Sequence, residues 1–96
     1  MLTAEQQQII REVLAPFSPL SIALFGSRAR GDERPESDLD LLVDLGEPID
    51  FLDLVGLEQS LSERLGLRVD LVTERASDPK VRPFMKRDLV RIEAAA

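Results

Sequence analysis

Two short apolar runs that enclose a glycine-flanked polar turn constrain this chain more than any other feature of its sequence. The first run ends at Gly26-Ser27, and the second opens with Asp38 and Asp40 in alternation with leucines. Side chains two residues apart on a β-strand project from the same face of the sheet. Residues 24–43 therefore predict a strand, a turn and a second strand whose entry carries two neighbouring carboxylates.

The rest of the chain alternates helical and extended patterns. Thr3 and Gln6 have the spacing of a capping box, which predicts the start of a helix. Pro16 ends this helix, because proline disfavours helical geometry in the residue before it. Asp50 and Gly66 are suited to cap the two ends of a longer helix. The predicted elements, in order, are a helix through Leu14, a strand over 20–25, a helical turn over 27–31, a strand over 38–45, a helix over 50–65, a strand over 67–73, and a last helix with Val81, Phe84, Met85, Leu89 and Ile92 on its apolar face.

This order of elements indicates the fold class. Strands that alternate with helices predict an α/β (α+β) fold in which helices pack on a sheet. Residues 50–65 are long enough for a crossover between parallel strands, whereas the roughly dozen residues between the first two strands allow an antiparallel pair. We therefore expect a small mixed sheet of three or about four strands, flanked by about four helices. At 96 residues the chain has room for one domain, residues 1–96.

The residue types that the chain lacks limit its chemistry. It contains no Cys and no His, which excludes disulfides, thiolate nucleophiles, histidine bases and zinc sites built on those ligands. A bound metal would be a hard cation with oxygen ligands, such as magnesium, manganese or calcium. A net charge of −6, with no Trp, no Tyr and 4 Phe, argues against direct binding of nucleic acid.

The sequence also bears on the compartment. No apolar stretch approaches the roughly 20 residues that cross a membrane. The N-terminal residues lack the basic and apolar regions of a signal peptide. We therefore expect a cytoplasmic protein that has no membrane partner.

Three acidic residues predict a metal site. Asp38 and Asp40 would repel each other and raise each other's pKa unless a cation neutralised them. Asp70 lies in the middle of a predicted apolar strand, where a carboxylate is costly without a partner. If that strand lies beside the second one, Asp70 can face the pair. Three carboxylates at one locus can hold two divalent ions roughly 3.5–4 Å apart, an arrangement used for displacement at phosphorus.

The turn between the two strands predicts a phosphate site. Gly26 permits close approach of the backbone to a ligand. The Ser27 hydroxyl and the N–H groups that follow can donate to phosphate oxygens. Arg28 and Arg30 can add positive charge to the same turn and so stabilise a triphosphate or a leaving pyrophosphate.

Each of these signals taken alone has an ordinary structural explanation. Gly-Ser ends many strands, paired aspartates often decorate the end of a strand, and Asp70 could face solvent on an edge strand. The basic residues Lys80, Arg82, Lys86, Arg87 and Arg91 are read as a solvated face, with an acidic partner surface as the alternative. The joint spacing of the signals is what favours a site. The glycine motifs of dinucleotide-binding folds and P-loops are absent from the sequence.

The combined pattern resembles a known superfamily. Gly26-Ser27, ten intervening residues and then Asp38-Leu39-Asp40 resemble the signature of the polymerase-β-like nucleotidyltransferases. The fuller form, with Ala29-Arg30-Gly31, is similar to prokaryotic minimal nucleotidyltransferase (MNT) domains, which are commonly encoded beside HEPN-domain toxins. The resemblance is strongest over residues 20–45. It implies the polymerase-β-like nucleotidyltransferase fold.

The resemblance also implies roles for individual residues. Gly26 and Ser27 match the phosphate-binding positions, Asp38 and Asp40 the metal-binding aspartates, and Asp70 the third carboxylate, which assists deprotonation of the attacking hydroxyl. Arg30 lies in the motif with a less defined role. The implied activity is Mg²⁺-dependent transfer of AMP from ATP, with Mn²⁺ as a substitute metal, to a tyrosine or another hydroxyl residue of a HEPN toxin. The alternatives are an antitoxin that acts by binding alone and transfer to a small molecule. Homo- and hetero-oligomers both stay open.

Overall fold

The computed structural model describes residues 2–31, 34–35, 37–74 and 89–92. Its strands and helices follow the predicted order from the N-terminus to the third strand. The elements are α1 (Ala4–Leu14), a 3-10 turn (Ala15–Phe17), β1 (Ser21–Phe25), α2 (Ser27–Arg30), β2 (Leu39–Asp44), α3 (Phe51–Leu65), β3 (Val69–Thr73) and β4 (Val90–Ile92).

The sheet has four strands in the order β3-β2-β1-β4. The strand β1 pairs antiparallel with β2 and with β4, whereas β2 pairs parallel with β3. The parallel pair follows from the 15-residue helix α3, which carries the chain back along the sheet between β2 and β3. The predicted mixed α/β sheet is therefore confirmed, in its four-stranded form.

Local signals define the ends of both long helices. The Thr3 side chain accepts from the Gln6 N–H while the Gln6 side chain accepts from the Thr3 N–H, so the predicted capping box is present. At the start of α3, the Asp50 carboxylate accepts from the Leu52 N–H at 2.8 Å. The same helix ends at Gly66, in left-handed conformation, as its position in the sequence predicted.

The core lies between one face of the sheet and the two long helices. The buried residues of the helices are Ile10, Leu14, Leu57 and Leu61. Along β2, Leu39, Leu41 and Val43 belong to the same buried cluster. This alternation turns the acidic residues of β2 towards the other face of the sheet, because neighbouring side chains on a strand point in opposite directions.

One predicted element is wrong where the structure describes it. Ile92 was assigned to the apolar face of a last helix, but Val90–Ile92 forms β4, and Ile92 pairs with Ile22 of β1. The edge of β1 offers a row of backbone hydrogen-bonding groups, and pairing with that edge outweighs the helical spacing of the apolar residues. Leu89, assigned to the same helix face, is also outside any helix, whereas Val81, Phe84 and Met85, the remaining members of that predicted helix, lie outside the described residues. Across the described ranges, no helix has the length and apolar character needed to cross a membrane.

Candidate active site

The sheet places two of the three predicted acidic residues side by side. Asp40 of β2 and Asp70 of β3 are direct partners in the parallel register. Asp38 immediately precedes β2 and is two residues from Asp40, which puts both on the same face. The prediction for Asp70 required its strand to lie beside the strand of Asp40, and β3 does pair with β2. Three carboxylates from two segments of the chain therefore share one region of the sheet.

The electrostatics of Asp40 reflect this crowding. Burial is the largest factor that raises the pKa of Asp40 above its usual value, because a half-buried carboxylate loses part of its hydration. The negative charges of Asp70 and then of Asp38 raise the pKa further, and the positive charge of Arg30 lowers it in part. Asp40 therefore experiences an excess of negative charge, which a bound cation would relieve.

The donor chemistry of the three carboxylates fits a hard divalent cation. All the candidate ligand atoms are oxygens, which suit magnesium and manganese. Among the residues that the structure describes, no three acidic side chains converge into a complete metal site. The guanidinium of Arg68, which is largely exposed, lies 3.9 Å from the Asp38 carboxylate.

The predicted phosphate turn abuts the acidic residues. Gly26 follows β1, and its neighbour Phe25 pairs with Asp40 across the sheet. Gly26 has φ 77° and ψ −157°, a conformation that is essentially restricted to glycine. A Cβ atom on Gly26 would overlap the Oδ2 atom of Asp40 and lie 3.2 Å from its Cγ. The glycine is therefore required both by the backbone conformation and by the approach of the turn to the carboxylate.

The helical turn α2 leaves its first backbone N–H groups without acceptors inside the helix. The Gly26 carbonyl accepts from the N–H groups of Ala29 and Arg30 at 3.1 Å each. The N–H groups of Ser27 and Arg28 belong to the first turn and have no acceptor within the helix. The Ser27 hydroxyl makes no hydrogen bond to another described residue. These groups are available to an anionic ligand beside Asp40.

The two arginines of the turn behave differently. Arg30 is exposed, and its charge reaches the carboxylate of Asp40. Arg28 is partly buried and donates from Nε and Nη2 to the carbonyl oxygen of Ser37, at 3.2 and 2.8 Å. Sequence reasoning missed this role of Ser37, because a contact to a backbone oxygen has no signature in the sequence.

Comparison with known proteins shows that the chain is similar to members of the nucleotidyltransferase family. The sequence profile described as nucleotidyltransferase domain matches residues 7–94. The chain is 35% identical over 97 residues to the protein adenylyltransferase MntA of Thermococcus cleftensis, across 96% of this chain and 98% of that protein. It is 45% identical over 73 residues to MJ1217 of Methanocaldococcus jannaschii, provisionally named a protein adenylyltransferase, across 75% of this chain and 74% of that protein.

Solved structures have the same fold. One, provisionally described as a minimal nucleotidyltransferase, aligns with a TM-score of 0.76 at 36% identity, over 90% of this chain and 88% of that one. A chain from a toxin–antitoxin crystal structure with AMP-PNP aligns with a TM-score of 0.84 over 93% of this chain and 73% of that one. Its identity of 24% supports a shared fold alone. The match of the family profile across nearly the whole chain, supported by these relatives, assigns the protein to the nucleotidyltransferase domain family, and it is a nucleotidyltransferase.

Proposed function

We propose that this protein transfers AMP from ATP to a hydroxyl side chain, most simply a tyrosine, of a HEPN-domain toxin, and that it acts in the cytoplasm as the antitoxin. The observation that carries the proposal is the pairing of Asp40 with Asp70 beside the turn that begins at Gly26. The relative from Thermococcus cleftensis is named a protein adenylyltransferase. Structures of the same fold belong to toxin–antitoxin complexes. These names favour a protein acceptor over a small molecule.

In this proposal Asp38 and Asp40 hold a divalent ion, with Asp70 as a further ligand. Mg²⁺, when bound, neutralises charge on the triphosphate and on the attacking oxygen. Because the donor set is oxygen only, Mn²⁺ can substitute for it. Ser27 and the N–H groups at the start of α2 bind phosphate oxygens, and Arg30 adds positive charge beside them.

The chemistry is an in-line displacement at the α-phosphorus of ATP. Asp70 accepts the proton of the acceptor hydroxyl, and the oxygen forms a bond to the α-phosphorus. The bond from that phosphorus to the bridging oxygen of the β-phosphate breaks, and pyrophosphate leaves with the electron pair. The proton on Asp70 then passes to solvent. The turn at Gly26 and the two strands contribute chiefly by holding the reactants in line.

A second candidate function is neutralisation of the toxin by binding alone. Phe51 and Leu52, in the first turn of α3, are 74% and 77% exposed. Large apolar side chains exposed next to each other often mark a surface that contacts another protein. In this alternative the complex itself blocks the toxin, and nucleotide transfer is secondary or absent.

One assay separates the two candidates. The purified protein is incubated with ATP labelled at the α-phosphate, Mg²⁺ and the HEPN protein encoded beside it, and label on the partner is measured. We expect transfer by the wild type, loss of at least about 100-fold in Asp38→Asn and Asp40→Asn, and little change in Asp44→Asn. Asp44 is the matched control, because it lies on the same strand and its Oδ1 atom accepts from Gly46, as an amide oxygen can. An unlabelled partner that is still neutralised would exclude the enzymatic proposal and support binding.

A further inference from the structure

The guanidinium of Arg28 makes a forked contact with the backbone ahead of the acidic strand. Its Nε and Nη2 atoms both donate to the carbonyl oxygen of Ser37, at 3.2 and 2.8 Å. Arg28 and Ser37 are both partly buried. Hydrogen bonds from a charged donor are stronger than neutral ones, and partial burial limits competition from water. The rigid fork of an arginine also fixes the direction of its acceptor.

This contact holds one end of a short acidic segment whose other end is held by β3. Ser37 directly precedes Asp38, so Arg28 restrains the peptide group that leads into that aspartate. On the far side, the Leu39 N–H donates to the Arg68 carbonyl at 2.9 Å. The backbone of Asp38 is therefore tied to α2 through the residue before it, and through the residue after it to Arg68, which directly precedes β3.

A second junction joins the same turn to the same strand. The backbone of Gly26 approaches the Asp40 carboxylate so closely that it leaves no room for a Cβ atom. Gly26 and Arg28 both belong to the turn that begins α2, and Asp38 and Asp40 both belong to the entry of β2. The two contacts, Gly26 with Asp40 and Arg28 with Ser37, lie two residues apart on the turn and three residues apart at the entry of β2, so together they restrain the orientation of one segment relative to the other.

We propose that Arg28 is a positioning residue, which holds the entry of β2 against α2 so that Asp38 and Asp40 keep a set distance from the phosphate turn. This role differs from the direct nucleotide contact predicted for Arg28 from the sequence, because two of its donors are engaged by Ser37. The inference rests on the proposed function in assigning metal binding to Asp38 and Asp40. Its structural part, the restraint of the strand entry, stands independently of it.

Binding of Mn²⁺ without nucleotide distinguishes the two roles by the sign of the effect. Removal of a nearby positive charge by itself should tighten binding of a cation to the carboxylates. We expect Arg34→Ala, which removes an exposed arginine from the segment after α2, to leave Mn²⁺ affinity unchanged or slightly tighter. Arg28→Ala should instead weaken Mn²⁺ binding by about tenfold, because the carboxylates lose their relative placement. Unchanged or tighter binding in Arg28→Ala would contradict positioning and favour a direct contact with phosphate.

Amide hydrogen exchange tests the restraint without any metal. We expect exchange of the Leu39 N–H, which donates to the Arg68 carbonyl, to accelerate by about tenfold in Arg28→Ala and to be unchanged in Arg34→Ala. Unchanged exchange in Arg28→Ala overturns the proposal whatever the Mn²⁺ result. If the wild type binds no Mn²⁺, the proposed function fails, and the exchange rates alone decide the role of Arg28. If Arg28→Ala does not fold, Arg28→Lys replaces it, because lysine keeps the charge but lacks the forked guanidinium. The changes in Mn²⁺ affinity and in exchange rate are then expected in the same direction but smaller.

Discussion

At the scale of single residues, the candidate site depends on a glycine, because there is no room for a larger side chain at position 26. Gly26 combines a backbone conformation that other residues avoid with direct approach to the Asp40 carboxylate. Gly31, at the other end of the same turn, also has a positive φ, of 81°, but nothing lies within 4 Å of where its Cβ would be. A substitution at Gly31 therefore tests backbone strain alone, whereas one at Gly26 tests backbone strain together with the collision with Asp40.

We predict that Gly26→Ala is the more damaging of the two substitutions. Gly31→Ala should cost about 1–2 kcal/mol of folding free energy through left-handed strain alone. Gly26→Ala should cost at least about 2 kcal/mol and should also displace the Asp40 side chain. Urea unfolding measures the first effect, and Mg²⁺-dependent AMP transfer by the folded fraction measures the second. Equal transfer by the two folded variants would show that the approach of Gly26 to Asp40 does not matter for the site.

At the scale of secondary structure, α3 holds the edge strand that carries Asp70. The Leu71 N–H donates to Glu58 Oε2 at 2.8 Å, and the Val69 N–H donates to Ser62 Oγ at 3.0 Å. These two residues flank Asp70 on β3, the edge of the sheet. Outward N–H groups of an edge strand are otherwise open to pairing with another chain. Two side chains of α3 therefore cover that edge and hold Asp70 beside Asp40.

We predict that Glu58→Ala destabilises the protein by about 1–2 kcal/mol, since a hydrogen bond to a charged acceptor is lost at a partly buried position. Glu58→Gln keeps an acceptor oxygen and should lose less. Glu63→Ala is the control, because Glu63 is exposed on the same helix, and it should stay within about 0.5 kcal/mol of the wild type. Urea unfolding gives the energies, and amide exchange at Leu71 reports the strand. Protection of Leu71 that survives Glu58→Ala would contradict the assigned contact.

The two long helices are also joined by an exposed ion pair. Arg64 Nη2 of α3 lies 2.8 Å from Glu12 Oε2 of α1. The hydrogen bond from Arg64 is the largest factor that lowers the pKa of Glu12 below its usual value, followed by the hydrogen bond from Gln8. A carboxylate whose pKa is lower in the folded state stabilises that state when it is ionised.

Because the pKa of Glu12 is lowered in the folded protein, we predict how the stability of Glu12→Gln differs from that of the wild type as the pH changes. The stabilisation is present above the pKa of Glu12 in the unfolded chain and disappears as the pH falls through its lower pKa in the folded protein. The variant should therefore melt slightly below the wild type at pH 7, and the two should converge in acid below both pKa values. Thermal melts from pH 7 to pH 3 make the comparison, with Arg64→Gln expected to show the same difference at pH 7. A difference that does not change with pH would contradict the ion pair as its cause.

At the scale of the whole molecule, the candidate site is formed by three segments of the chain that meet. Asp38 and Asp40 come from the entry of β2, Asp70 from the edge strand, and Gly26 from the turn after β1. A nucleotide and a divalent ion that bind across these segments would bind the folded state alone and so stabilise it by mass action. The unfolded chain has the same residues but not their juxtaposition.

We therefore predict a cooperative gain in stability on loading with Mg²⁺ and AMP-PNP. At a ligand concentration of about 100 times the dissociation constant, the gain is about 2.7 kcal/mol. For a domain of this size that raises the melting temperature by about 10 °C or more. The double variant Asp38→Asn/Asp40→Asn should show little of this shift, and Asp44→Asn should show it in full. An equal shift in the double variant would place the nucleotide elsewhere on the protein.

Local signals were enough to predict most of the elements, and they also nominated the candidate site residues whose roles stay predictions. The capping box at Thr3, the caps at Asp50 and Gly66, and the alternation around Asp38 and Asp40 act within a few residues, so the sequence shows them directly. Residues 90–92 were mispredicted, because Ile92 fits a helical stripe as well as a strand. Only the free edge of β1, distant in the sequence, decides in favour of the strand.

The sequence by itself determined which chemical groups are available: oxygen ligands, a glycine turn and nearby arginines, with no histidine or cysteine. Only the tertiary structure decided their relations. It placed Asp70 beside Asp40, raised the pKa of Asp40 through burial and neighbouring charge, and turned Arg28 towards Ser37. The physical reason is that residue types and local propensities act over a few positions, whereas charge interactions and contacts to backbone oxygens depend on distances that only the packed sheet and helices establish.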